Sequence, residues 1–188
     1  VLSSENGCLT QDMISESNSV YVIQDDYDLQ GQTINLSKNC VLLFDGGSFK
    51  NGVLVGNETS LGEYGNKIFD LTINLEGTFN VPYVDIRWFG AIADFNEKTK
   101  RGTDVSPYIL KALEYTNKHT GLAIKIIGKY YLETPIVTPA FVHLIGESYH
   151  SHHTMSRQNN PDFRTHENTS SYIFVKSGIT AFTFQGTG

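Results

Sequence analysis

The chain has 188 residues, of which 39% are hydrophobic, so it can bury a sizeable core and is not disordered. Its formal net charge of -6, from 14 basic and 20 acidic residues, gives no basic face of the kind that a nucleic-acid-binding protein needs. No run approaches the roughly 20 apolar residues that span a bilayer, and we therefore expect neither a nucleic-acid nor a membrane partner.

The residue types favour an all-β chain with frequent tight turns, because 17 glycines accompany 11 phenylalanines and 10 tyrosines. Cys8 and Cys40 are far apart and cannot form a disulfide framework. The first residue is Val1 rather than Met, and the last residues stop within a strand-like pattern. We therefore expect the chain to be a piece of a longer protein.

Residues 20–23 begin the predicted strands, and an acidic segment with Asp25, Asp26 and Asp28 follows them. Three close carboxylates can indicate a calcium loop, but the Asp-x-Asp-x-Asp-Gly spacing and the distal Glu are missing. We interpret this segment as a solvated turn.

Three similar segments, at residues 31–36, 51–56 and 70–75, alternate polar with apolar residues, as β-strands do. They recur at intervals of roughly 20 residues, which is the period range of solenoids. A sandwich with antiparallel hairpins is the alternative. The shortage of two-residue Asn-Gly turns between the segments favours the solenoid.

One helix is predicted near the middle of the chain. Ser106 is the expected N-cap and Pro107 the first helical residue, while Gly121 is the expected stop. The pattern predicts about three turns, with Leu110 and Leu113 facing the core.

Strands are predicted again after the helix, at residues 123–127, 130–132, 142–145, 172–175 and 181–184. A polar stretch at residues 147–171 interrupts them and contains His150, His152 and His153. Such a tract can bind zinc, but no cysteine lies nearby, and we interpret any binding as adventitious. Insertions in a solenoid emerge from turns, so this stretch should project from the body.

Residues 88–147 carry a resemblance to a known family. They contain Trp-Phe-Gly-Ala at 88–91, Thr103-Asp104 before the helix, Gly-Lys-Tyr at 128–130 and Leu-Ile-Gly-Glu at 144–147. In this order they resemble the start of the pectate-lyase-superfamily β-helix of phage tail spikes and bacterial polysaccharide-active enzymes. The turn at residues 92–102 is longer and more charged than the Gly-Asp-Gly turn usual in that family.

The resemblance implies an all-β fold, a right-handed parallel β-helix (β-solenoid) with one capping α-helix. Residues 1–87 would form an N-terminal solenoid or neck region, and residues 88–188 the capping helix and first coils of the main β-helix. An open β-helix end exposes apolar core and strand edges, so an amphipathic helix is a suitable cap.

The resemblance also implies a function. We expect a virion structural protein, a tail-spike or tail-fibre component that anchors a host-glycan-binding β-helix to the phage tail. The implied partners are two further copies in a homotrimer, other phage tail proteins, and a host surface polysaccharide reached by a later part of the protein. We expect the long polar stretch at residues 147–171 to contact either a neighbouring subunit or another tail protein. The alternative is a truncated secreted or cell-surface polysaccharide lyase or glycoside hydrolase.

A glycan-cleaving site needs a base or paired carboxylates on one groove face. The available carboxylates are Asp94, Glu97, Asp104, Glu147, Asp162 and Glu167. No two of them lie on one predicted strand at alternate positions, which would place both on the same groove face. We therefore predict no catalytic residue, cofactor or metal ligand within this chain, although the longer protein could depolymerise a polysaccharide.

Individual residues in this region have structural interpretations. Asp104 is predicted to be a turn or cap residue, His143 an outward-facing strand residue and Trp88 a packed aromatic where the strands meet the helix. The tyrosines and phenylalanines could stack on sugar rings, but we expect them mainly to fill the core.

Overall fold

The structure is a computed structural model, and it describes residues 1–2, 7–62, 67–119, 121–139, 142–146 and 171–185. These residues form strands joined by short turns, one α-helix, α1 (Ser106–Thr116), and the 3₁₀ helices Gln11–Ile14 and Ile86–Phe89. The strands are β1 (Val20–Ile23), β2 (Asp26–Asp28), β3 (Thr33–Asn35), β4 (Val41–Phe44), β5 (Ser48–Lys50), β6 (Gly52–Leu61), β7 (Ile73–Phe79), β8 (Tyr83–Asp85), β9 (Ala123–Ile126), β10 (Lys129–Leu132), β11 (Ile136–Pro139), β12 (Leu144–Gly146), β13 (Tyr172–Val175) and β14 (Phe182–Gln185).

Every pairing between these strands is parallel, so the protein is mainly β with all-parallel sheets. In the first half, Val20 pairs with Val41 and Val41 with Ser60, while Gly52 pairs with Ile73. These partners are separated by the same short interval at which the sequence segments recur. The alternative of an antiparallel sandwich is wrong for the described residues, because hairpins would pair neighbouring strands in opposite directions.

The second half repeats this pairing, with longer intervals in places. Ile124 pairs with Leu144 at the ordinary interval, but Tyr83 pairs with Ala123, about twice as far along the chain. Helix α1 lies within that longer interval. The pairs β10–β13 and β11–β14 span residues 147–170, which lie outside the described part of the chain.

Alternating burial along the strands fills the interior with aromatic rings. Five buried rings contact one another in the order Tyr27, Phe49, Phe44, Phe69 and Phe89. Their successive ring centroids are 5.4 to 6.1 Å apart, and the first three contacts are edge-to-face, which is a preferred aromatic geometry. The prediction that aromatic residues fill the core is confirmed for this group.

The acidic segment after β1 differs from its prediction. Asp26 and Asp28 belong to strand β2 and are not part of a turn, because Tyr27 between them is fully buried and anchors the segment. Strand alternation then turns both carboxylates away from the core. Asp26 accepts a hydrogen bond from Ser48 and Asp28 from Asn51, which joins β2 to the next strand of its ladder.

Helix α1 starts at Ser106 and ends before Gly121, as predicted, but its N-cap differs from the prediction. Ser106 is the first helical residue, and Val105 occupies the N-cap position without a side-chain hydrogen bond. The Ser106 N–H is instead accepted by Asp104, two residues earlier. The helix ends at Thr116, with Asn117 as its C-cap, and its length of 11 residues agrees with the predicted three turns.

The buried face of α1 was predicted only in part. Leu113 is 4% exposed, which confirms its prediction, but Leu110 is 38% exposed and its prediction was wrong. The face that packs on the core contains Ile109, Ala112 and Leu113, at positions i, i+3 and i+4. Because adjacent helical residues point about 100° apart, Ile109 and Leu110 cannot both occupy its centre.

Trp88 is buried in the 3₁₀ helix Ile86–Phe89, which contacts α1, and its ring lies 6.3 Å from that of Tyr83. Its structural interpretation is confirmed. His143 is exposed, as predicted, but lies just before β12 rather than within a strand. None of the helices in the described residues has the length and apolar character that crossing a bilayer requires.

The turn before β7 contains an acid-sensitive contact. The Lys67 ammonium donates a hydrogen bond to Asp70 at 2.7 Å. This contact lowers the pKa of Asp70 from its ordinary 3.8 to about 2. Partial burial raises the pKa, but hydrogen bonds from Thr72 lower it further. A depressed carboxyl pKa stabilises the fold above pH 3.8, and that contribution disappears as the pH falls towards 2. We expect Asp70→Asn to unfold more easily at neutral pH and to lose less stability between pH 4 and pH 2. Urea unfolding at several pH values measures the free energy of unfolding of the original protein and of the variant. An equal loss of stability in both proteins between pH 4 and pH 2 would contradict this prediction.

Candidate functional site

The Asp104 carboxylate accepts hydrogen bonds from three residues, Ser106, Glu133 and Thr134. Its Oδ1 accepts from the Ser106 N–H at 3.1 Å, from the Ser106 hydroxyl at 2.6 Å and from the Glu133 N–H at 2.9 Å. Its Oδ2 accepts from the Thr134 hydroxyl at 2.8 Å. Burial raises the pKa of Asp104, but these donors together outweigh that effect and lower it. The residue therefore ties the start of α1 to the turn after β10, which confirms its predicted role.

We expect Asp104→Ala to lower the free energy of unfolding by about 2–4 kcal/mol, because it removes the acceptor for several charge-assisted hydrogen bonds. Asp26→Ala is the matched control, since that exposed carboxylate accepts, among the described residues, a hydrogen bond only from Ser48, and its removal should cost about 0.5 kcal/mol or less. Urea unfolding measures both values. Equal midpoints for the two variants would show that the Asp104 contacts are not structural.

The other described candidate acids are also held by their own chain. Asp94 accepts from the N–H and the hydroxyl of Thr103 at 2.8 and 2.7 Å. Glu97 pairs with Lys129, whose ammonium lowers the pKa of that carboxyl. A general acid at neutral pH needs a raised carboxyl pKa, and neither Glu97 nor Asp104 has one.

The remaining candidates lie outside the described residues, and these are Glu147, Asp162, Glu167, His150, His152 and His153. Within the described ranges, no group of three or more His, Cys, Asp or Glu side chains is placed to hold a metal ion.

A cleft of about 360 Å³ lies between strand β7 and helix α1. This volume falls in the range of roughly 300–1,000 Å³ that small-molecule sites occupy. Its lining combines charged, amide and apolar groups, namely Asn74, Leu75, Glu76, Phe89, Lys111, Glu114, Tyr115 and Lys118.

Lys111 forms the polar centre of this cleft. The residue is only 9% exposed, and its ammonium donates to Asn74 Oδ1 at 2.7 Å and to Glu114 Oε2 at 2.8 Å. A lysine this buried is unusual and requires such partners. At the rim, Lys118 and Glu76 form a longer ion pair of 3.8 Å.

Helix side chains cover part of the free edge of β7. The Tyr115 hydroxyl accepts from the Phe79 N–H at 3.1 Å and donates to the Gly77 carbonyl at 3.3 Å. The ring of His119, stacked on Tyr115, places Nε2 at 2.9 Å from the same Gly77 carbonyl. Burial raises the pKa of Tyr115 and keeps its hydroxyl protonated. These contacts fix the end of the helix against the strand beside the cleft.

A group of aromatic rings lies outside the core ladder. Phe95 is stacked on Phe174 with centroids 3.7 Å apart and lies 6.2 Å from Tyr131, so its faces are occupied by other rings. The group joins the long turn at residues 92–102 to strands β10 and β13. Because Phe95 uses its faces in this way, it is poorly placed to stack on a sugar ring.

Sequence reasoning did not identify the cleft. A partial signal is present, because Lys111 and Glu114 follow i, i+3 spacing and share one helix face. Nothing local shows that this face meets Asn74, which lies far earlier in the chain.

Comparison of the sequence with protein-family models, with curated proteins and with solved structures found no match in any of the three.

Proposed function

We propose that this chain forms consecutive coils of a right-handed parallel β-helix and serves as a structural component of a virion. In this role it is the part of a tail spike or tail fibre that joins a host-glycan-binding body to the phage tail. The observation that carries the proposal is the parallel pairing of strands that recurs at a regular interval in the first half of the chain, with Val20, Val41 and Ser60 in one such row.

Two physical arguments support the β-helix. A parallel partner one repeat later requires a crossover, and such crossovers are right-handed in about 98% of cases. The interval between Tyr83 and Ala123 is close to two ordinary repeats and contains α1. Side chains at the end of α1 cover part of the strand edge of β7, which is the role that a cap has in a solenoid.

The chemistry of the described residues supports a structural rather than a catalytic role. Asp94 and Asp104 accept hydrogen bonds from neighbouring residues of the same chain, and Glu97 is held by Lys129. These carboxylates stabilise turns and are not presented together to a substrate. The proposed partners are two further copies in a homotrimer, other tail proteins, and a host polysaccharide bound by a later part of the protein.

The test uses mass spectrometry to search for peptides of this chain in a culture in which the protein is naturally produced. Two fractions are compared, namely purified virus particles and the particle-free secreted material. We expect the peptides in virus particles banded on a density gradient, at constant ratio to capsid peptides. Peptides confined to the particle-free secreted fraction, together with release of unsaturated or reducing sugar ends by that fraction, would overturn the structural role and favour the polysaccharide-cleaving alternative.

A further inference from the structure

We propose that His119 is a pH-sensitive link between the end of helix α1 and the edge of strand β7, and that protonation of its ring strengthens this link. The inference goes beyond the structural role proposed for the chain and does not depend on it. It rests on the positions of both ring nitrogens, on the place of His119 just after α1, and on the way in which the Gly77 carbonyl is shared.

Both ring nitrogens of His119 face carbonyl oxygens. Nδ1 lies 2.9 Å from the carbonyl oxygen of Tyr115, and Nε2 lies 2.9 Å from that of Gly77. A carbonyl oxygen can only accept, so each contact is a hydrogen bond only when the nitrogen carries a proton. A neutral imidazole has one N–H and an imidazolium has two. The charged ring therefore satisfies both contacts, whereas the neutral ring leaves one nitrogen lone pair facing an oxygen lone pair.

The end of α1 also favours a positive charge at this position. The last four carbonyls of a helix lack partners within the helix and carry partial negative charge. The Tyr115 carbonyl is one of them, since α1 ends at Thr116. His119 follows this end by three residues, and its half-buried ring is stacked on the ring of Tyr115. An imidazolium there is stabilised by the helix end as well as by its two acceptors.

The Gly77 carbonyl receives one donor that depends on pH and one that does not. It accepts from the Tyr115 hydroxyl at 3.3 Å as well as from His119, and the two lone pairs of a carbonyl oxygen can serve both donors. Burial raises the pKa of Tyr115 above its ordinary 10, so its hydroxyl keeps its proton at neutral pH. His119 is therefore the member of this pair that responds to pH.

The charged groups around the link form two ion pairs. Glu76 and Lys118 are 3.8 Å apart and flank the contact in sequence, while Lys111 and Glu114 form a pair of 2.8 Å one turn earlier on α1. Each pair has no net charge, so neither imposes a strong field on His119. Carboxyl and ammonium groups ordinarily keep their charges between about pH 5 and pH 8, the range in which a histidine side chain changes its charge.

The direction of the pH dependence follows from the two carbonyl acceptors. In the unfolded chain the His119 ring is hydrated and has neither acceptor fixed beside it. A proton on this ring is therefore held more strongly in the folded chain. The contribution of His119 to stability is present at about pH 5 and is lost as the pH rises towards 8. Asp70 acts in the opposite direction and below this range.

The test compares urea unfolding of the whole chain and of His119→Gln at about pH 5 and pH 8. Glutamine keeps an amide donor but does not titrate. We expect the substitution to lower the folding equilibrium constant by a factor about five to ten times greater at the lower pH, as the loss of one charge-assisted hydrogen bond implies. Groups common to both proteins cancel in this comparison. Equal losses at the two pH values, or a greater loss at the higher one, would overturn the proposal.

Two control variants separate the link from general effects. His143→Gln makes the same change at an exposed histidine, and its effect should be equal at both pH values. Tyr115→Phe keeps the stacked ring and removes the hydroxyl, so it should lower stability by the same amount at both pH values.

The unaltered chain provides an independent measurement, because long-range ¹H–¹⁵N NMR spectra report the protonation of each ring nitrogen. We expect His119 to carry protons on both nitrogens at about pH 5 and its neutral form to predominate at about pH 8. A neutral ring in one fixed tautomer at the lower pH would refute the proposal.

Discussion

Replacing Leu113 with Asp should lower the free energy of unfolding by about 4 kcal/mol or more, because it places a carboxylate in an apolar site. Leu113 is 4% exposed and belongs to the helix face that packs on the core. The substituted side chain either remains charged without a partner or takes up a proton, and both changes destabilise the folded state. We expect lower soluble yield, exposed apolar surface detectable by dye binding, and a reduced urea midpoint.

Leu110→Asp is a closely matched control, since it makes the same chemical change on the same helix. Leu110 is 38% exposed, so the new carboxylate remains in contact with water and the cost should be about 1 kcal/mol or less. Similar destabilisation by both substitutions would show that the observed helix orientation is wrong.

The second large effect is expected at Gly77, where the backbone has a φ of +70° and pairs with Gly56 in the β6–β7 ladder. A Cβ atom there would lie 2.1 Å from the Gly56 carbonyl oxygen and 3.0 Å from Val55 Cγ1. Left-handed backbone costs an alanine roughly 1–2 kcal/mol, and overpacking against backbone adds roughly 1–3 kcal/mol. We therefore expect Gly77→Ala to lower the free energy of unfolding by about 3 kcal/mol or more.

Gly31→Ala separates the two contributions. Gly31 has a similar φ of +74°, but a Cβ atom there would meet nothing within 4 Å. Its substitution should cost only the conformational component, about 1–2 kcal/mol. Urea unfolding of both variants measures the difference, and an equal loss would mean that the close approach of β7 to β6 does not occur.

The strands were the most predictable elements because alternation is a local signal. Residues 31–36 and 51–56 predicted β3 and β6 from their period-two pattern alone. The segment around Tyr27 was harder, because its polar neighbours are typical of a turn. Only the burial of that ring against Phe49 turns the segment into a strand, and this contact joins residues that are distant in the sequence.

For helix α1, the local sequence pattern does not determine which apolar residues are buried. Ser106, Pro107 and Leu113 predicted the position and length of the helix. Ile109 and Leu110 are adjacent apolar residues, and only one of them can face the core. Packing against the 3₁₀ helix Ile86–Phe89 decides between them, and that contact is not encoded locally. The same reasoning explains Lys111, which composition alone would place at the surface.

The candidate cleft was unpredictable for a related reason. Asn74 and Glu76 are exposed alternate residues of β7, and many edge strands carry such residues without function. Whether Asn74 and Glu76 lie close to Lys111 and Glu114 depends on where α1 packs against the sheet. Only the three-dimensional pairing brings the four side chains around one cavity.

The repeated parallel pairing is tested most directly by nuclear Overhauser effects between backbone protons of the isotope-labelled chain. We predict contacts between the strands of Thr33 and Val53, and between those of Val53 and Asn74, in the N–H to Hα pattern of parallel neighbours. Strong Hα–Hα contacts between strands adjacent in sequence, such as β3 and β4, would indicate antiparallel pairing and contradict the parallel fold and the β-helix proposed from it.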